Sequence, residues 1–175
     1  MINKKRGKEM SMQWLLEKAP GFQVLREQDR DAIFSFTFLW TLFEARVMGN
    51  FARADLIRVK VDEWYDAGTL NADRYDAELA YFRQRYYANG DFTIHFRRLR
   101  LRAVDQLDIV QSVLDGRSND PRDRLLTLLM IVWRFRNNFF HGEKWSYRFQ
   151  DQLSNFTHAN AILIRLLERH GQLTA

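Results

Sequence analysis

The chain has 175 residues, of which 46% are hydrophobic, 14% aromatic and 28% charged, with 8 Gly and 2 Pro. This composition is typical of one folded domain and excludes a disordered or low-complexity chain. The absence of cysteine excludes disulfides, thiol nucleophiles and metal sites built on Cys. Lys and Arg number 27 against 22 Asp and Glu, a formal charge of +5 that fits either a nucleic-acid partner or a surface of ion pairs.

The N-terminal segment is basic and is not followed by an apolar signal sequence. We therefore expect residues 1–10 to form a flexible basic arm and residues 11–175 to form one domain. The most apolar stretch, 32–43, is shorter than the roughly 20 residues that cross a bilayer. These features favour a cytoplasmic protein without a membrane anchor.

Hydrophobic periodicity predicts helices along nearly the whole chain. Their expected bounds are 11–18, 31–48, 51–65, 71–89, 91–114, 120–141 and 146–170. The clearest helix start is Asp120, an N-cap residue followed by Pro121 at the first helical position. Because long helices with short connections pack as antiparallel neighbours, the sequence predicts an all-α, up-and-down antiparallel helical bundle.

The same periodicity supports helix over strand in 31–48, groups apolar residues on one face of 71–89 and predicts an amphipathic core stripe in 91–114. In 31–48 the apolar residues recurring at helical spacing are Phe34, Phe38, Leu42, Ala45 and Met48. In 71–89 they are Tyr75, Leu79, Phe82 and Tyr86. In 91–114 they are Phe96, Leu99, Ala103, Leu107, Val110 and Leu114.

Polar residues interrupt the apolar pattern in the last two turns of the predicted helix 120–141. They are Arg134, Arg136, Asn137, Asn138 and His141. Asn137 and His141 are four residues apart and share a helix face. Imidazole exchanges protons near neutral pH and guanidinium binds anions, so these residues are the candidates for chemistry in this chain.

Residues 136–142 read R-N-N-F-F-H-G. This segment resembles the R-x4–6-H motif of HEPN domains, in its R-N-x-x-x-H form. HEPN domains are helical bundles, commonly dimeric, and include metal-independent ribonucleases of toxin–antitoxin, abortive-infection and CRISPR-associated systems. The resemblance implies a HEPN-like fold, a homodimer, RNA as the substrate, no metal or cofactor, and control by an antitoxin or another regulatory protein.

The resemblance also implies roles for three residues in an endoribonuclease. His141 would act as general acid or base on the RNA 2′-hydroxyl or the leaving oxygen. Arg136 would hold the scissile phosphate, and Asn137 would orient His141 or bind a phosphate oxygen. A single motif His in each chain is few for both proton transfers, which favours a site completed by a second copy.

Glu44, Arg134 and Asn138 are the candidates for supporting this site. Glu44 follows the apolar run of its helix and is expected either to pair with Arg134 or Arg136 or to end the helix in solvent. Arg98 and Arg102 share a face of the predicted helix 91–114. With Lys144 they are candidate RNA contacts, the alternative being a solvated charged face.

A second Arg-x4-His pair, Arg165 and His170, lies near the C-terminus and is expected to be a favourable cationic helix end. Two other functions stay open on the sequence alone. One is a non-catalytic HEPN module that binds RNA, a nucleotide or a protein partner. The other is a plain helical interaction protein, in which the motif is a coincidence of helix capping.

Overall fold

The computed structural model describes residues 4–140 and 152–173, with side chains described from Met10 to Phe139 and from Gln152 to Leu173. These ranges contain eight α-helices: α1 Lys4–Lys18, α2 Glu27–Arg46, α3 Ala54–Asp66, α4 Asp76–Tyr86, α5 Ile94–Arg97, α6 Leu107–Leu114, α7 Pro121–Phe140 and α8 Leu153–His170. Three short 3-10 helices are Phe22–Val24, Ala72–Tyr75 and Ala103–Asp105, and two strands are β1 Tyr87–Ala88 and β2 Asp91–Phe92. The predicted all-α class is confirmed.

Helix α7 is the centre of the fold. Residues 124–135 are buried without interruption, so this helix is covered on every side. It packs against α3 and α6, and Phe135 contacts Phe82 of α4 and Phe156 of α8. Within the described parts of the chain, no helix combines the length and apolarity needed to cross a bilayer.

Helices α2 and α8 form the largest helix pair. The rings of Phe36 and Phe156 meet with centroids 5.1 Å apart, and Asn160 donates to the Ala32 carbonyl at 3.0 Å. Since the numbering rises along α2 while it falls along α8, these two helices are antiparallel. This antiparallel pair joins two helices that are far apart in the sequence.

The start of α7 is the one predicted. A carboxylate oxygen of Asp120 accepts from the backbone N–H of Arg122 at 2.9 Å and of Asp123 at 3.2 Å. Pro121 occupies the first helical position, where its missing N–H is not needed. Because this cap sets where α7 begins, it also places the polar segment at the opposite end of the helix.

The predicted helix 91–114 is wrong, because the chain there is divided into four short elements. Asn89 and Gly90 adopt positive φ angles of 54° and 81° and turn the chain into a hairpin, as Asn-Gly pairs favour. Helix α5 is four residues long and is capped by Thr93. A turn containing Arg100 at φ 54° then leads into Ala103–Asp105.

The apolar residues whose spacing predicted a helix in 31–48 do not all lie on the buried face of α2. Phe34, Phe38 and Leu42 are exposed by 40%, 78% and 38%. The buried face of α2 is formed by Ile33, Phe36, Trp40 and Phe43. Helix α2 is apolar on both sides, and periodicity alone could not show which side meets the core.

The predicted face of residues 71–89 is confirmed, since Tyr75, Leu79, Phe82 and Tyr86 are all buried. The first helix begins at Lys4 instead of residue 11, so part of the basic segment is helical. The last helix is described from Leu153, and its predicted start at 146 lies outside the described residues.

Candidate functional site

The polar segment forms the last two turns of α7. Arg134, Arg136, Asn137 and Asn138 are described there, whereas His141 and Lys144 lie outside the described residues. The four described residues do not act as one group, because they contact different neighbours around the helix.

Arg134 and Asn138 bind the turn that follows α5. The Arg134 Nε donates to the Leu99 carbonyl at 2.9 Å, and its Nη2 donates to the Asn138 Oδ1 at 3.2 Å. The Asn138 Nδ2 also donates to the Leu99 carbonyl, at 3.2 Å, and to the Arg98 carbonyl at 3.4 Å. Both side chains are buried. In this structure the two side chains hold the backbone of Arg98 and Leu99 in place.

Asp105 completes this network from the far end of the same turn. Its fully buried carboxylate lies 3.4 Å from the Arg134 Nη1. It also accepts from the Arg102 backbone N–H at 3.0 Å and from the Arg102 Nε at 3.2 Å. Burial alone would raise the pKa of Asp105, but the hydrogen bonds and charges of Arg102 and Arg134 outweigh burial and lower it. The carboxylate is therefore ionised at neutral pH.

The predicted common face of Arg98 and Arg102 does not form. Arg98 follows α5, and Arg102 precedes the next 3-10 helix, with a turn between them. The Arg102 guanidinium is engaged by Asp105, whereas the Arg98 side chain is exposed. Sequence reasoning missed Asp105, although an acidic residue three positions after the N-cap is typical of a capping box.

Arg136 is held differently from Arg134. Its guanidinium carbon lies 5.6 Å from the centroid of the Trp133 ring, a cation–π contact. Its Nη1 donates to the Asn137 Oδ1 at 3.1 Å. Asn137 is buried and Arg136 half-buried. These contacts orient a guanidinium at the end of α7, within the residues that precede His141.

One expectation was that Glu44 pairs with Arg134 or Arg136. The structure places its carboxylate on other partners. Its carboxylate accepts from the Trp40 Nε1 at 3.3 Å and from the Ala52 backbone N–H at 3.1 Å. The reason is that the chain after α2 turns back and places the Ala52 amide beside the helix end. The Trp40 ring packs on Trp133 at 5.8 Å, so Glu44 reaches Arg136 only through two indole rings.

The two residues of the second Arg-x4-His pair contact different helices. Arg165 pairs with Glu78 of α4 at 2.5 Å, whereas His170 stacks on Trp64 of α3 at 4.0 Å. Burial, with the charges of Arg169 and Lys60, lowers the pKa of His170 to about 4. The expected cationic helix end is therefore wrong for His170, which is neutral at pH 7.

A cavity of about 670 Å³ is bordered by the start of α2, the end of α4, α5 and the start of α8. It is lined by Val24, Leu25, Arg26, Asp29, Arg85, His95, Leu153 and Ser154. Its His95 belongs to α5, the helix whose final turn is bound by Asn138. Sequence reasoning missed this cavity because its residues come from separate segments and no local pattern joins them.

Within the described residues, no group of three or more His, Asp or Glu side chains is placed to hold a metal ion. The resemblance to HEPN domains rests on residues 136–142 of this sequence. No family model, curated protein or solved structure matches the chain.

Proposed function

We propose that this protein is a HEPN-type, metal-independent endoribonuclease that acts as a homodimer. The observation that supports this proposal most directly is the difference between two neighbouring arginines of α7. Arg134 is buried in the network that holds the turn after α5. Arg136 lies outside that network and is oriented by Trp133 and Asn137, five residues before the motif histidine in the sequence.

The proposed reaction uses the RNA as its own nucleophile. The 2′-oxygen forms a bond to the adjacent phosphorus while the bond from phosphorus to the 5′-oxygen breaks. A base removes the 2′-hydroxyl proton, and an acid protonates the departing 5′-oxygen, leaving a 2′,3′-cyclic phosphate and a 5′-hydroxyl. His141 supplies one of these proton transfers, and His141 of a second copy supplies the other.

Arg136 and Asn137 act on the phosphate in this proposal. A guanidinium stabilises the negative charge that grows on the non-bridging oxygens, and it does so better when it is already oriented. The contacts of Arg136 with Trp133 and Asn137 provide that orientation. Asn137 is thus a positioning residue for Arg136, which differs from the roles inferred from the sequence, to orient His141 or to bind a phosphate oxygen.

The RNA backbone is proposed to approach along α5. Arg98 is exposed at the end of α5, and its carbonyl is bound by Asn138 of α7. Lys144 is proposed to contribute a second cation to this track. Arg102 is bound to Asp105, so its part is to shape the turn. In a cell the enzyme would be a cytoplasmic toxin or phage-defence effector restrained by an antitoxin or other regulatory protein.

One observation favours a second candidate function. Asn137 is 7% exposed, and its carbonyl oxygen is already bound by Arg136. Because these two side chains are already bound to each other, they also suit a module that binds RNA or a nucleotide without cleaving it. The two functions differ in turnover, which depends on His141.

The test is cleavage of total cellular RNA by the purified full chain in EDTA. We expect the wild type to produce cyclic-phosphate ends, and His141→Ala and Arg136→Ala each to lower the rate by about 100-fold or more. His170→Ala is the matched control, because it disrupts the other Arg-x4-His pair and is expected to keep cleavage. Equal cleavage by wild type and His141→Ala would contradict the proposal. RNA binding lost in Arg136→Ala, with no cleavage by wild type, would support the binding module.

A further inference from the structure

Helix α2 exposes an apolar surface on the side away from the core. Phe38 is 78% exposed, and Phe34 and Leu42 flank it one turn away on either side. A groove of about 620 Å³ runs along this surface and is lined by Asp31, Phe34, Ser35, Phe38, Leu39, Asn160 and Ile164. We call this surface the α2 groove. Contiguous exposed apolar side chains of this size are typical of protein interaction sites.

Charges at the two ends of the exposed face of α2, which continues beyond the groove to Arg46, indicate what covers this surface. Asp31, Ser35, Phe38, Leu42 and Arg46 follow one another at steps of four, three, four and four residues, so they lie along one helix face. Asp31 and Arg46 are both exposed. The face is therefore acidic at its start, apolar in its middle and basic at its end.

This order of charges is complementary to itself when the helix is reversed. Asp31 and Arg46 are equally far from the midpoint between Phe38 and Leu39, about 11 Å along the axis at 1.5 Å per residue. A two-fold axis at that midpoint places Asp31 of each copy opposite Arg46 of the other. It also places Ser35, a small residue, opposite Leu42.

We propose that the α2 groove is the interface of a symmetric dimer, in which α2 of a second copy packs antiparallel against it. A two-fold interface brings the same patch of both copies together and therefore needs a self-complementary surface. The α2 groove meets this requirement in both its apolar centre and its charged ends. The inference rests on the proposed function because that proposal includes a dimer. Its evidence comes from the surfaces of α2 and α8 and does not involve RNA cleavage.

The first experiment measures the molar mass of the full chain by light scattering at micromolar concentrations. The wild type is expected at twice the 21.0 kDa mass of one chain. Phe38→Glu is expected to be a monomer, because it places two carboxylates in the apolar centre. Phe38→Ser, which adds no charge, is expected to weaken the dimer as well. Val59→Glu is the matched control: Val59 is half-exposed on α3, and this variant is expected to stay dimeric.

The second experiment tests the antiparallel order of charges. Asp31→Arg and Arg46→Asp are each expected to raise the dissociation constant about tenfold, since each places like charges together twice per dimer. The double variant, with both changes in one chain, is expected to restore the wild-type value. An equimolar mixture of the two single variants is expected to form heterodimers, because every facing pair then carries opposite charges.

Each result decides something specific. A monomeric wild type overturns the proposal, and so does a dimer that survives both Phe38 variants with their helical circular dichroism intact. A double variant no tighter than the single variants overturns the antiparallel arrangement. A wild-type chain that is dimeric but does not cleave RNA would contradict the proposed enzyme and leave this interface standing.

Discussion

Arg134 and Asn138 donate to the same acceptor, the carbonyl of Leu99, at 2.9 Å and 3.2 Å. They are one turn apart on α7 and are also bound to each other at 3.2 Å. The backbone after α5 is thereby attached to the end of α7. These polar residues are close together in the sequence, but the structure divides them into two pairs. Arg134 and Asn138 hold the backbone after α5, and Arg136 and Asn137 are the candidate functional pair.

Replacing Arg134 should destabilise the fold far more than replacing Arg136. Arg134→Met leaves Asp105 with fewer partners in a buried place, so we expect the free energy of unfolding to fall by about 3 kcal/mol. Arg136→Met keeps the network intact and should lower it by about 1 kcal/mol or less. Urea denaturation followed by circular dichroism measures both changes. Equal losses would show that the network does not stabilise the fold as described.

Glu44 should influence cleavage only indirectly, through the tryptophans. Glu44→Ala removes the acceptor of the Trp40 indole and of the Ala52 amide, so we expect a loss of about 1–2 kcal/mol and altered tryptophan fluorescence. Cleavage should fall several-fold with an unchanged pH profile, whereas Glu44→Gln, which keeps an acceptor, should recover most of it. The control is Glu63→Ala, which breaks only an exposed pair with Lys60. A displaced pH profile in Glu44→Ala would instead indicate that Glu44 transfers protons.

The stability of the protein should decline as the pH falls from about 6.5 to about 4. The pKa of His170 is about 4 in the fold, where the residue is stacked on Trp64, against about 6.5 in an unfolded chain. In this window the unfolded chain binds a proton that the folded chain does not, so acid favours unfolding. Burial also lowers the pKa of His158, which acts in the same direction.

The measurement is the melting temperature between about pH 7 and pH 4.5. His170→Phe should retain the stacking on Trp64 and lose the proton, so its melting temperature should depend less on pH than that of the wild type. The residual slope should come from His158 and from carboxylates such as Asp105, whose pKa is lowered. A variant with the same slope as the wild type would contradict a depressed pKa for His170.

Arg98 should contribute to RNA binding as a backbone contact. Arg98→Ala is expected to weaken binding several-fold and to reduce the dependence of log affinity on log salt by about one contact. Arg117→Ala is the control, because Arg117 is exposed before the start of α7, about 30 Å along that helix from the motif. Fluorescence anisotropy with a labelled RNA at several salt concentrations measures both. Equal losses in the two variants would indicate a diffuse charge effect without a defined track.

Much of the fold follows from local sequence. The helical class, the start of α7 at Asp120 and Pro121, and the buried face formed by Tyr75 and Tyr86 were all predictable. They depend on interactions within a few residues, such as capping, backbone restriction and apolar spacing, and these are written in the order of the residues. The position of the motif at the end of α7 follows from the same helix.

Other features were decided by contacts between distant segments. Buried Asp105 is bound by Arg134 from 29 residues away, and this network accompanies the division of the predicted helix 91–114. His170 was expected to be a cation, but stacking on Trp64 keeps it neutral. In each case a polar group gained a partner or lost its water through a chain segment far away in the sequence.

Helix α2 shows the same division most clearly. Its sequence determined a helix with apolar residues on two sides, and both Phe36 and Phe38 satisfied a helical pattern. Only the packing of α8 decided that Phe36 is buried and Phe38 exposed, because a helix can turn one side to the core and the other away from it. The sequence determined the helical class and which residues form the motif, and the tertiary structure decided which faces are buried and which charges are paired.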